Sequence, residues 1–186
     1  MKEEVKRESV EWAKAIILGL VIFGFIRFFL FDNYTVQGQS MLPTINDGDK
    51  LLVNKLSYTI GEIDRFDVVV FHYNQEEDFV KRVIGLPGDT LYFENDTLHI
   101  NGEPIDEQYI EGYKDQMSYE KFTGDFSLQD KTGEMEVPAG QLFVMGDNRL
   151  GSTDSRHFGF IKENEVVGEV SLRYWPLKKW ELNFKD

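Results

Sequence analysis

Ser40 and Lys81 are the two residues around which a reaction can be built. Ser40 stands in Gly38-Gln39-Ser40-Met41-Leu42-Pro43-Thr44, where Gly38 and Pro43 favour a tight, irregular loop over a regular strand. Such a loop can offer both the serine hydroxyl and its backbone N–H to a carbonyl group. A serine hydroxyl attacks only once a base takes its proton, and a lysine that has lost its charge can be that base. Lys81 stands in Phe79-Val80-Lys81-Arg82-Val83, where strand alternation puts it on one face with Phe79 and Val83. That apolar flank desolvates the ammonium and lowers its pKa from the ordinary value of about 10.4. Either residue alone reads equally well as a turn serine or a strand-edge lysine. If they meet in the fold, they make a serine hydrolase. His72, His99 and His157 offer a different base, but none has a setting that singles it out. A Ser-His-Asp triad stays open, because its members need not be close in sequence.

A third cluster, Gly146-Asp147-Asn148-Arg149-Leu150-Gly151-Ser152-Thr153-Asp154-Ser155-Arg156, follows the apolar run Gln141–Met145. It is either a polar surface loop or a network holding a catalytic group. In the second case Asp154 could pair with Arg82 or Arg156, and the Ser152 hydroxyl could orient the lysine amine.

These residues need a frame. Trp12–Phe31 is a 20-residue apolar stretch interrupted only by Lys14 and Arg27, which predicts a membrane-spanning anchor. No small-residue cleavage site follows it, which argues against a removed leader. Lys2, Lys6, Arg7 and Lys14 precede or open the stretch and favour a cytoplasmic N-terminus at 1–11. The body, 32–186, would then lie outside the cytoplasm. There the pattern turns to short apolar runs bounded by turn residues: Tyr34–Val36, Leu51–Val53, Asp67–Phe71, Phe79–Ile84, Thr90–Phe93, Thr97–Ile100, Gln141–Met145 and Val166–Leu172. This predicts a mainly β body, an antiparallel β-sheet catalytic domain with a small β-rich insertion at about 91–139. Residues 106–136 are polar and lack periodicity, and read as an excursion or part of that smaller lobe.

Composition excludes several classes. With no cysteine, there can be no disulfide framework, thiolate metal site or cysteine nucleophile. No two histidines form a metal-binding pair, so no metal is expected. The net charge of -13 argues against a nucleic-acid partner.

Together the boxes Ser40–Thr44, Gly48–Lys55, Lys81–Asp89 and Gly146–Arg156, in that order behind an apolar N-terminal segment, resemble the bacterial type I signal peptidases, and the Gram-positive members in particular. The resemblance runs from about residue 12 to 176. It implies a membrane-anchored serine endopeptidase that cuts signal peptides from exported preproteins at the membrane surface. Lipid would be its second partner, and it would sit beside the protein-export machinery of the plasma membrane. It implies Ser40 as nucleophile and Lys81 as general base. Ser152 would bond the lysine amine, and Asp154, Arg82 and Arg156 would form the supporting network. Tyr34, Val36, Ile45 and Val80 would line small pockets for alanine-like residues. No cofactor is implied. Some relatives place a serine where this chain has Gly38, so the second oxyanion donor is left to backbone or water. Two rivals stand beside this reading: a non-catalytic membrane-bound binding or assembly protein of the same fold, and a self-cleaving Ser-Lys repressor. The latter would need a DNA-binding helix-turn-helix where this chain has its apolar segment.

Overall fold

The run Val68-Val69-Val70-Phe71 is β-branched and apolar throughout, the composition of a strand covered on both faces. All four residues are buried in the computed structural model of the protein, which describes residues 2–114, 121–182 and 184–185. In chain order, α1 (Lys2–Leu30) leads to β1 (Phe31–Thr35), β2 (Lys50–Asn54), α2 (Ser57–Ile60), β3 (Val68–His72) and β4 (Asp78–Gly85). Next come β5 (Leu91–Glu94), β6 (Thr97–Ile100), β7 (Glu103–Ile105) and α3 (Gln108–Lys114). The chain continues through β8 (Phe126–Ser127), α4 (Leu128–Thr132), β9 (Gln141–Met145), α5 (Ser155–Phe158), β10 (Ile161–Lys162) and β11 (Val166–Trp175).

A seven-stranded sheet has the order β1-β2-β11-β3-β4-β9-β10, with antiparallel pairing throughout. β3 lies in its middle, and the two-residue period of a strand splits its side chains between two cores. Val68 and Val70 pack with Met41, Ile45 and Leu51 beneath the serine loop. Val69 and Phe71 pack on the other side with Val83, Leu142 and Val144. The sheet therefore serves as a rigid partition with the lysine strand β4 next to its centre.

A second sheet, β7-β6-β5-β8, is built on two consecutive two-residue hairpins. Asn95 and Asp96 turn the first with φ of 50° and 60°, and Asn101 and Gly102 the second with φ of 52° and 87°. Positive φ at both central residues matches the twist of the flanking strands, and Asn, Asp and Gly tolerate it best. Leu91, Phe93, Leu98 and Phe126 bury their side chains against Ile84, Phe143 and Met145 of the larger sheet, so one core joins the two. The sequence reading finds β5 and β6 but leaves 106–136 without elements. The described part of that stretch contains α3, β8 and α4. α4 starts at a capping box between Ser127 and Asp130.

The expected membrane-crossing segment is not reproduced as such. Among the described residues no helix is long and apolar enough to cross a membrane. Lys14 limits the uninterrupted apolar run to Ala15–Ile26, about 18 Å of helix against a hydrocarbon core of about 30 Å. The side chain of Arg27 lies outside the described residues. α1 ends at Leu30, and Phe31 already belongs to β1. Trp12, Leu18, Leu20 and Phe23 of α1 are nonetheless 60–71% exposed.

Candidate active site

Ser40 and Lys81 are brought together from opposite sides of the sheet's central region. The loop between β1 and β2 carries the serine. Its shape is fixed locally: Gly38 N–H donates to Asp47 Oδ1 at 2.8 Å, and Asn46 N–H to Asp49 Oδ2 at 2.8 Å. Gly38 needs glycine's freedom here, at φ 95°. Asp49 is buried and held by Arg173 of β11 at 3.3 Å, and Arg173 also donates to the Thr44 carbonyl. Asn148 grips the loop from the far side, its N–H donating to Ser40 O at 3.0 Å and its Nδ2 to Gln39 O at 3.0 Å.

Lys81 lies opposite Val69 in the β3–β4 ladder. Its Nζ is 2.7 Å from Ser40 Oγ and 3.0 Å from the Val80 carbonyl, and sits 5.0 Å from the centre of the Phe79 ring. The residue is 4% exposed. Burial lowers its pKa from 10.5 to about 8, against the opposing pull of Asp154 and Asp147. About a tenth of the amine is therefore neutral at pH 7 and about half at pH 8, and in that state the same contact runs the other way, with the serine O–H donating to the amine. The histidines are engaged elsewhere: His72 Nδ1 with Asp78 at 2.6 Å, His99 stacked on Tyr92, and His157 exposed 3.9 Å from Asp154.

The cluster 146–156 packs against this pair, with partners partly different from those expected. Arg156 makes a two-pronged pair with Asp154, both contacts 2.8 Å. Arg82 instead pairs with Asp147, through Nε at 2.9 Å and Nη2 at 2.7 Å. The physical reason is strand alternation: Arg82 points to the opposite face of β4 from Lys81. There its Nη1 also donates to the carbonyls of Phe66 and Phe184. Burial opposes the Arg82 charge, but Asp147 outweighs it and the pKa is raised. Burial likewise opposes the Asp154 charge, and Arg156 outweighs it and holds that carboxylate low. Thr44 Oγ1 donates to Asp147 Oδ2 at 2.5 Å, which ties the serine loop to the same carboxylate.

Ser152 Oγ is buried close to Asp154, where it helps hold that carboxylate low, and makes no hydrogen bond to Lys81. Gly146 explains how it fits. A Cβ there would fall on Ser152 Oγ and on the Ser40 carbonyl, so only glycine lets the two serine segments close together.

A groove of about 510 Å³ runs from this point between Tyr34–Met41 and Glu76–Lys81, with Gly151 and Thr153 at one end. Tyr34, Val36 and Val80 line it. Ile45 does not; it is fully buried beneath, beside Val36 and Met41. The Tyr34 hydroxyl donates across the groove to Asp78 Oδ2 at 2.9 Å. β4 pairs with β9 only from Arg82 onward, so among the described residues Asp78–Lys81 has a ladder partner on the β3 side alone. Sequence reasoning missed Thr44, Asn148, Glu107 and Tyr109. The first two sit inside boxes already singled out, while the last two carry no local signal. Among the described residues no group of His, Cys, Asp and Glu could hold a metal ion.

An antiparallel scaffold presenting a serine hydroxyl to a buried, weakly basic lysine defines a class, that of proteins equipped for Ser-Lys hydrolysis. Comparison with known proteins narrows it. Residues 9–175 match the family described as signal peptidase, peptidase S26. The chain is 55% identical over 159 residues to a signal peptidase I of Bacillus caldolyticus, covering 86% of this chain and 87% of that one. It is 40% identical over 184 residues to signal peptidase IB of Staphylococcus aureus, covering 97% and 96%. The crystal structure of a signal peptidase I from Enterococcus faecalis superposes with a TM-score of 0.57 at 41% identity, over 60% of this chain and 98% of that one. The chain belongs to the signal peptidase family, peptidase S26.

Proposed function

We propose that this protein removes N-terminal signal peptides from exported preproteins, using Ser40 as nucleophile and Lys81 as general base. The observation that carries the mechanism is the 2.7 Å contact between Ser40 Oγ and a lysine amine desolvated enough to be about half neutral at pH 8. Neutral Lys81 takes the serine proton as Oγ adds to the scissile carbonyl. The resulting ammonium returns that proton to the leaving amine, and the new N-terminus of the mature protein departs from an acyl-enzyme on Ser40. Lys81 then activates water, which releases the signal peptide and restores the hydroxyl. The Ser40 N–H is one oxyanion donor. Gly38 N–H is committed to Asp47, so the second donor has to come from another backbone amide or from water. Ser152 Oγ, buried beside the dyad and close to Asp154, is placed to orient the amine as its charge changes.

The substrate lies extended in the groove and adds a strand beside the free edge of Asp78–Val80. Tyr34, Val36 and Val80 leave room for small residues at the third-last and last positions before the cut, with Ile45 backing the pocket from below. α1 anchors the enzyme in the plasma membrane, N-terminus cytoplasmic and body outside, beside the export machinery. The support is its exposed apolar surface on successive turns, with Lys14 snorkelling to the headgroups. The four-stranded sheet forms the smaller lobe. The direct test is incubation of the detergent-solubilised protein with a preprotein and sequencing of the new N-terminus. Cleavage after a small-x-small sequence, lost in both Ser40→Ala and Lys81→Ala, is expected; substantial cleavage by either variant would refute the dyad.

A further inference from the structure

Behind the dyad lies a second charge cluster that the mechanism does not use. Arg149 is 2% exposed, and its guanidinium is fully engaged. Nε donates to the Gly146 carbonyl at 3.1 Å, and Nη1 to Glu107 Oε2 at 3.2 Å and Thr123 Oγ1 at 3.1 Å. Nη2 donates to Glu107 Oε1 and, at 3.1 Å, to the Tyr109 hydroxyl. Tyr109 in turn donates to Glu107 at 2.6 Å and lays its ring 3.8 Å from the guanidinium carbon of Arg82. Asp96 secures the remaining partner by accepting the N–H groups of Phe122, Thr123 and Gly124. Glu107 thus touches Arg149, and Tyr109 touches both Arg149 and Arg82, two of the arginines that brace the active-site loops.

We propose that Glu107 and Tyr109 are positioning residues for the Ser-Lys dyad, acting through Arg149 and Arg82. Charge balance gives the reason. Two buried arginines share this space with two buried carboxylates, Asp147 and Glu107. Without Glu107, Arg149 would have Asp147 as its nearest remaining buried anion and would draw it from Arg82. Asp147 also holds Thr44, and Arg149 holds the Gly146 carbonyl, at the residue packed against Ser40 O and Ser152 Oγ. Loss of the rear carboxylate would therefore loosen both walls of the Lys81 pocket and admit water to the amine. Asp154 and Asp147 also reach Lys81 and raise its pKa, but burial outweighs them, so admitting water to the amine moves that pKa upward. The 106–114 stretch thus builds the site although no atom of it need touch substrate.

This inference rests on the Ser-Lys reading, and the test separates the two. Full-length wild type, Glu107→Gln, Glu107→Asp and Tyr109→Phe are titrated with a serine-directed acylating inhibitor, so that rates are counted per reactive site. They are then assayed on a preprotein-derived peptide from pH 6 to 10. Glu107→Gln is expected to lower kcat about tenfold with KM within about twofold, and to move the rising limb of the pH profile to higher pH. Glu107→Asp should recover part of both effects. Tyr109→Phe keeps the ring over Arg82 and loses one hydroxyl, so it should fold even if the Glu107 variants do not, and should show the same changes to a smaller degree. Wild-type kcat and an unmoved limb per titrated site in Tyr109→Phe, or in a folded Glu107→Gln, would overturn the proposal. A wild type that is not acylated at Ser40 would overturn the dyad reading beneath it.

Discussion

Replacing Lys81 with methionine should abolish cleavage yet make the folded protein more stable at neutral pH. Burial lowers the amine from 10.5 to about 8. At about 1.4 kcal/mol per tenfold change in proton affinity, a protonated Lys81 costs the fold ~3 kcal/mol. Below pH 8 the amine is protonated in the folded and the unfolded chain alike, so the whole cost is present. Above about pH 10.5 it is neutral in both and the cost is gone; between these limits wild-type stability from this group rises with pH. Methionine fills a similar volume against Phe79 and forfeits the bond to Ser40, worth ~1 kcal/mol. The net gain is ~2 kcal/mol at pH 7, and it shrinks to zero or a small loss by pH 10.5. Urea unfolding of both full-length proteins in the same detergent, followed by tryptophan fluorescence at the two pH values, measures the difference. A methionine variant no more stable at pH 7, or a gap that does not narrow as pH rises, would refute the argument that desolvation makes this lysine a base.

The remaining expectations concern the same frame. Because the neutral amine is the base, kcat/KM should rise about tenfold between pH 7 and 9 and bend near 8; a bend below 7 would point to a histidine instead. Gly146→Ala sets a methyl group on Ser40 O and Ser152 Oγ, and should cost about a hundredfold in kcat through misplacement of the dyad. Active-site titration checks that the loss is per molecule. Asp147→Ala strands the fully buried Arg82 charge and should lower stability by ~3–5 kcal/mol in urea unfolding. Removing both charges, as Arg82→Leu with Asp147→Leu, should recover most of that loss.

Much of the site is legible in the sequence because its residues carry local signals. Glycine and proline flanked Ser40, and apolar neighbours flanked Lys81. The polar run 146–156 follows an apolar strand that ends in the core. Strand alternation alone would have turned Arg82 away from Lys81, and so toward a carboxylate other than Asp154. Glu107 and Tyr109 could not be seen in this way. Their segment is polar and aperiodic, and what makes them matter is burial against Arg149, 42 and 40 residues further on. The position of Ile45 fails for a related reason: an apolar residue in a short loop reads alike whether it lines a pocket or floors one.

The bonds that brace the dyad join distant parts of the chain. Thr44 to Asp147 spans 103 residues, Arg82 to Phe184 spans 102, and Arg173 to Thr44 spans 129. Closing such long loops costs chain entropy, and each contact gives nothing back until both ends are in place. Until then Lys81 is hydrated and charged, so a chain still on its way to the native state holds both dyad residues but has no base. Proteolytic competence therefore arrives only with the finished fold.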